Sequence, residues 1–376
     1  MTNHPTHARP ATRPKALPIL AIQIILSALV ASAFVGIYLS LQRDPAPLDV
    51  PVVTTSQELA ASAQSAWGDK AEVTVVRTAA EAQDLLRSQD AVAAFIPSAT
   101  GLDVYTAGAN GRSVTMAATG LIDGLADAAG LPVQSTTDVV PLVQYDRQGL
   151  SSFYLVFGVT LAAFILAQIL TAMAFLTLRA RIIAVAGGAV VSAVVTAVIA
   201  GPVLGAVPAS LWVVIPGLAL LSAAVSISTM AIAAAIGPIG NVISTLLFTV
   251  AGNATGGATV SPFLMPPVVA TLGELLPQGA AFRLIVSVGY FGGTNTLGPV
   301  LVLVAWNVAA AGLLFVATRR AARRAARQAA RQAAGSVAAG QAVGTGAGGR
   351  AAGSVATSQP VGTVAASTVA AGTVAE

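Results

Sequence analysis

The sequence predicts an α-helical integral membrane protein of about six transmembrane helices, with an extracytoplasmic α/β domain inserted between the first and second. Three observations carry that prediction. Of 376 residues, 55% are hydrophobic and only 9% charged, where soluble domains carry about 25% charged residues. Several uncharged runs exceed the roughly 20 apolar residues that cross a bilayer. The charges are also sorted along the chain: residues 42–150 hold thirteen acids against six Lys/Arg, and the rest holds two acids against thirteen Lys/Arg. Such sorting is what the positive-inside rule produces.

Residues 1–15 form a proline-punctuated cytoplasmic tail with Arg9, Arg13 and Lys15. Residues 16–41 then run without a charge and form the first transmembrane helix. A cleaved signal peptide ending near Ala31-Ser32-Ala33 is the alternative, since a basic tail and an apolar run fit that pattern too. The run continues through Phe34, Val35, Ile37 and Leu39, which favours an uncleaved anchor.

Residues 42–149 read as a folded α/β domain. Val52-Val53 precedes Thr55-Ser56-Gln57-Glu58, and Val75-Val76 precedes Thr78-Ala79-Ala80-Glu81. Each is a capping box, with Thr accepting from a free helix N–H and Glu reaching back to the Thr amide. The helix after the first carries Leu59, Ala63, Ala66 and Trp67 on one face, and the second carries Ala82, Leu85 and Leu86. Strands are expected at 91–96, before Pro97, and at Leu102–Thr106. A third helix over 113–129 sets Val114, Ala118, Leu121, Leu125 and Ala128 on one face and stops at Gly130 and Pro132. Strand–helix alternation implies a small, mostly parallel or mixed sheet.

Residues 150–318 form a five-helix transmembrane block. Uncharged runs cover 150–178, 182–207 and 211–236, a fifth starts near Ile239, and a sixth covers 297–317. Starting from a cytoplasmic N-terminus, six crossings put Arg179, Arg181 and the C-terminal tail inside. The segment 252–296 is a re-entrant hairpin on the outer face or, alternatively, an amphipathic loop. It mixes apolar residues with Gly256, Gly257, Pro262, Pro266, Pro277 and Tyr290, and its one acid, Glu274, and one base, Arg283, either pair or sit at headgroup level as snorkelling anchors. Irregular backbone at membrane depth survives only where protein or a wet cavity covers it. The tail 319–376 is basic, then low in complexity from residue 335. Arg319, Arg320, Arg323, Arg324, Arg327 and Arg331 form a stripe that reads as a clamp on anionic lipid, or as an ordinary stop-transfer cluster.

The chain lacks cysteine and carries histidine only at His4 and His7. Thiolate sites, histidine bases and Ser/His/Asp catalysis are therefore absent from its folded part, and no P-loop or nucleic-acid motif occurs. No enzyme activity, cofactor or metal is expected. No span carries an ionisable residue in its interior, which argues against a carrier driven by protons or sodium.

One family resemblance follows from particular residues. Phe95-Ile96-Pro97, then Val104-Tyr105-Thr106-Ala107-Gly108-Ala109-Asn110-Gly111, then Asp138-Val139-Val140-Pro141-Leu142 lead into Ser152-Phe153-Tyr154. Leu276-Pro277-Gln278-Gly279-Ala280 with Arg283, Tyr290-Phe291-Gly292-Gly293 and the stretch from Leu303 to Trp306 follow. In this order they resemble the ABC-2-type permease superfamily, more narrowly its YhgE/Pip-like and DUF3533-like multi-pass proteins. The resemblance implies a homo- or heterodimeric bacterial cell-membrane permease that exports an amphipathic substrate with a separate ATP-binding cassette ATPase. The chain departs from that pattern in its short N-terminal tail and in a first cytoplasmic loop reduced to Arg179-Ala180-Arg181. The other function class consistent with the sequence is a non-transporting envelope protein whose outer domain binds a partner or ligand.

Overall fold

The computed structural model describes residues 16–43, 45–173 and 175–347, so the N-terminal tail 1–15 and the end of the C-terminal tail lie outside the described residues. Helix α1 (Ala16–Arg43) matches the first expected span. The α/β domain then follows in the order β1 (Val50–Thr54), α2 (Gln57–Trp67), β2 (Ala71–Val75), α3 (Ala79–Arg87), β3 (Ala93–Pro97), β4 (Leu102–Thr106), α4 (Arg112–Ala129) and β5 (Val133–Asp138). The sheet order is β2-β1-β3-β4-β5. β1 is parallel to β2 and to β3, β3 and β4 form an antiparallel pair, and β4 and β5 are parallel. The sheet is therefore mixed.

Local rules account for most of this domain. Thr78 caps α3, its Oγ1 accepting from Glu81 N at 3.2 Å. Glu81 Oε2 reaches back one residue further than a capping box requires, to Arg77 N at 2.9 Å. At α2 the cap is Ser56 rather than Thr55: Ser56 Oγ accepts from Leu59 N at 3.3 Å. The buried stripe is Ala60, Ala63 and Trp67 with Leu59 packed beside it, and Ala66 faces outward. Helix α4 buries Val114, Ala118, Ile122, Leu125 and Ala126, with Leu121 packed beside them and Ala128 exposed. It ends at Gly130, whose φ of 63° places it in the left-handed region that favours glycine. β5 has no apolar alternation because it is an edge strand exposed along nearly its whole length.

The remaining helices are α5 (Ser151–Ala172), α6 (Leu178–Val203, its last turn π-helical), α7 (Leu211–Ile236), α8 (Ile239–Ala254), α9 (Pro267–Leu275), α10 (Pro277–Tyr290) and α11 (Leu297–Ala347). Among the described residues, five helices (α1, α5, α6, α7 and α11) are long and apolar enough to cross a membrane, or six if the bent pair α9–α10 counts as one span. The fifth apolar run forms a helix shorter than the other expected spans. α8 is a shorter apolar helix, about 24 Å at 1.5 Å per residue, against a hydrocarbon core of about 30 Å. Its middle, Thr245–Ala251, is π-helical.

The connection between α5 and α6 also differs from expectation. Thr177 caps α6 by accepting from Ala180 N at 3.3 Å, so Arg179 and Arg181 sit in the first helical turn and not in a loop. Arg181 Nη2 donates to Met173 O at 2.9 Å and so satisfies a carbonyl at the end of α5. α11 runs on past residue 335 to Ala347, because its alanine-rich sequence is a strong helix former. The chain divides into two compact units at Arg319/Arg320.

In the first unit the largest buried cluster lies between α5, α7 and α10. It includes Val159, Leu218, Leu221, Leu284 and Ile285, with Phe248 of α8 and Leu303 of α11. α1 is the least buried of the long apolar helices.

Candidate functional site at the bent helix pair

Proline placement explains the shape of the segment 252–296. Pro262 opens a short 3-10 turn, Pro266 and Pro267 start α9, and Pro277 starts α10. A residue before proline is driven out of the α region, and Leu276 accordingly has φ −83° and ψ 146°. The break turns the chain by 80°. Breaking a helix orphans its last carbonyls, and here side chains take them. Arg283 Nη2 donates to Glu274 O at 2.7 Å, and Trp306 Nε1 of α11 donates to Leu275 O at 2.7 Å. Arg283 Nη1 also lies 3.4 Å from Glu274 Oε1, so the acid and base read from the sequence are paired.

Close backbone approach holds the pair against the end of α8. A Cβ on Gly273 would stand 1.8 Å from Thr255 O, and one on Gly279 would stand 2.1 Å from Gly273 O. Gly256 joins the same knot, with Gly252 O and Gly279 Cα within 3.0 and 3.4 Å of its would-be Cβ. Gly257 turns the chain with φ 89°. Beneath the knot, Gln278 Nε2 and Asn253 Nδ2 both donate to Phe248 O, at 2.9 and 3.0 Å. Both side chains are almost fully buried. That carbonyl belongs to the π-helical stretch of α8.

The α/β domain grips both limbs of this structure. On one side Ser113 Oγ accepts from Ser261 N at 3.1 Å, and Leu48 N donates to Phe263 O at 2.8 Å. Val260, Leu264 and Met265 pack there with Ala117 of α4 and Leu41 of α1. On the other side Val286 and Phe291 belong to the same buried cluster as Val53, Leu86, Ala94 and Val140. Ser287 Oγ donates to Thr294 O and fixes the turn after α10. Tyr290 lines an open cleft of about 490 Å3 with Val139, Val140, Pro141 and Pro208. Its hydroxyl is shielded from solvent beside the Val143 backbone and the Asp146 side chain. Nearby, buried Asp146 caps α5, its Oδ1 accepting from Ser151 N at 3.0 Å.

A second hollow, an open groove of about 540 Å3, lies between α1 and α8. Its walls include Leu26, Val30, Phe34, Val242 and Val250, and its polar rungs are Gln23, Ser27, Asn241, Thr245 and Thr249.

All eight residues singled out in the hairpin, Gly256, Gly257, Pro262, Pro266, Glu274, Pro277, Arg283 and Tyr290, therefore surround one bent pair, though Tyr290 sits at the cleft and not in the knot. Sequence reasoning missed Asp146, Asn253 and Gln278 as structural pivots. An acid five residues ahead of an apolar run was a visible sign of a helix start; nothing local marks the two amides. Among the described residues no group of three or more His, Asp or Glu side chains is placed to hold a metal ion. Comparison with protein-family models, with curated proteins and with solved structures finds no match.

Proposed function

We propose that this chain is a multi-pass protein of the bacterial cell membrane, with both termini cytoplasmic and the α/β domain outside. In that setting it acts as an ABC-2-like permease component, exporting an amphipathic substrate with a separate ATP-binding cassette ATPase. The observation that carries this reading is the bent pair α9–α10. Its broken backbone is sealed by Arg283 and Trp306 and roofed by the α/β domain, which suits irregular backbone at membrane depth. A surface loop would need no such sealing, because water would satisfy its carbonyls. The charge distribution supports the orientation: twelve of nineteen Lys/Arg fall on the cytoplasmic side. Arg320, Arg323, Arg324, Arg327 and Arg331 are exposed on the second unit's helix, and Arg319 stacks its guanidinium 4.0 Å from the Phe315 ring. Such a stripe suits contact with anionic inner-leaflet lipid at about 1 kcal/mol per basic residue.

The test is co-purification of the tagged chain with its neighbouring ATPase, followed by ATP hydrolysis on reconstitution. Substrate-stimulated hydrolysis is expected. A chain that purifies alone and whose deletion leaves efflux unchanged would overturn the reading. One observation favours the second class, a non-transporting envelope protein. α5 ends at Ala172 and α6 begins at Leu178, while only Gly237 and Pro238 separate α7 from α8. These inner connections offer an ATPase little to hold. Retention of an envelope partner by the full chain decides for that class. The isolated α/β domain is a poor bait, because it lacks Val286 and Phe291 from its own core.

A further inference from the structure

We propose that the groove between α1 and α8 holds the apolar chain of a membrane amphiphile whose head is uncharged and rich in hydroxyl groups. This rests on the membrane placement above and names a substrate class for it. The groove walls are aliphatic and aromatic, as an acyl chain requires. On α8 the polar rungs Asn241, Thr245 and Thr249 recur every fourth residue, which stacks them on one helix face. Gln23 and Ser27 on α1 stand at the same spacing and line the same hollow.

Every rung is an amide or a hydroxyl, and no acid or base lines the groove. A phosphate or ammonium drawn into this hollow would lose its hydration with no opposite charge to meet it. A sugar-like head loses far less, because amides and hydroxyls exchange hydrogen bonds with it one for one. Two rungs are also short of partners. Asn241 Oδ1 and Thr249 Oγ1 are shielded from solvent and have no hydrogen bond. Thr245, by contrast, donates to Asn241 O at 2.8 Å, as helical threonines commonly do. The unpartnered Thr249 sits in the π-helical stretch, an irregularity that is frequent at functional sites.

The test uses the full chain in phosphatidylcholine nanodiscs with two lipids carrying the same diazirine-tagged acyl chain, a diglucosyl diacylglycerol and a phosphatidylglycerol. Crosslinks are mapped by peptide, so that labelling at residues 21–35 and 241–250 is separated from anionic lipid held by the basic helix. Groove labelling by the glycolipid is expected to exceed that by phosphatidylglycerol by about tenfold or more. Asn241→Leu with Thr249→Val should erase most of that preference. Thr245→Lys should swing it towards phosphatidylglycerol, which guards against a double variant that fails to fold. Equal labelling by the two lipids, a preference for phosphatidylglycerol, or a preference untouched by both variants would overturn the proposal. No ATPase takes part in the measurement, so it can fail while the permease reading stands, and the reverse.

Discussion

The α/β domain and the bent helix pair are built from opposite kinds of instruction. In the domain, two of the three helix starts are set by a side chain next to them, Ser56 at α2 and Thr78 at α3. In the bent pair, the decisive partners are distant in sequence. Trp306 seals Leu275 O from 31 residues away, and Gln278 reaches Phe248 O across 30. Local instruction tolerates a shift of one residue, as α2 shows. Long-range instruction does not, because each partner is fixed by a different helix.

The contrast is sharpest at glycine. Gly279→Val would drive two methyl groups into Gly273 O, which already lies 2.1 Å from a single Cβ position. Backbone cannot yield as a side chain does, so the cost exceeds the roughly 1–3 kcal/mol typical of overpacking. Loss of monodisperse protein on size exclusion is expected. Gly120→Ala on α4, where a Cβ meets nothing within 4 Å, should instead gain up to about 1 kcal/mol from helix propensity. If both variants behave alike, the close approach is not what holds the bent pair.

Caps provide the intermediate case. Ser56→Ala should cost about 1 kcal/mol, seen as faster amide exchange at the start of α2 in the full chain. Thr55→Ala should do less than half as much, because Thr55 lies outside the helix and makes no capping bond there. The reverse ranking would return the cap to the position that the sequence pattern suggests.

How much could be read in advance follows the same division. The order of spans, α1, α7 and the start of α11 were legible because apolar length needs no partner to be recognised. β3, β4, α3 and α4 were legible from burial period and caps. β5 was not, since VQSTTD is an exposed edge whose only structural reason is its pairing with β4. The 80° break was legible as a cluster of prolines, but not its geometry. Which carbonyls Arg283 and Trp306 would seal, and that Asn253 and Gln278 would meet at one oxygen, are facts about neighbours.

Glu274 and Arg283 separate what a side-chain pair contributes from what a sealed carbonyl contributes. Glu274→Gln removes the 3.4 Å ion pair yet leaves Glu274 O to accept from Arg283 at 2.7 Å. The Glu274 side chain is about half exposed, so the pair itself is worth about 0–1 kcal/mol. Thermal melting in detergent should shift by at most a few degrees. Arg283→Met keeps the apolar stem and removes the donor, so it should cost somewhat more, about 1–1.5 kcal/mol for the lost hydrogen bond of a partly exposed charged donor. If Glu274→Gln proves the more damaging of the two, the charge and not the carbonyl seal organises the bend. The pair would then stand with the α/β domain, as a structure set by contacts near in sequence.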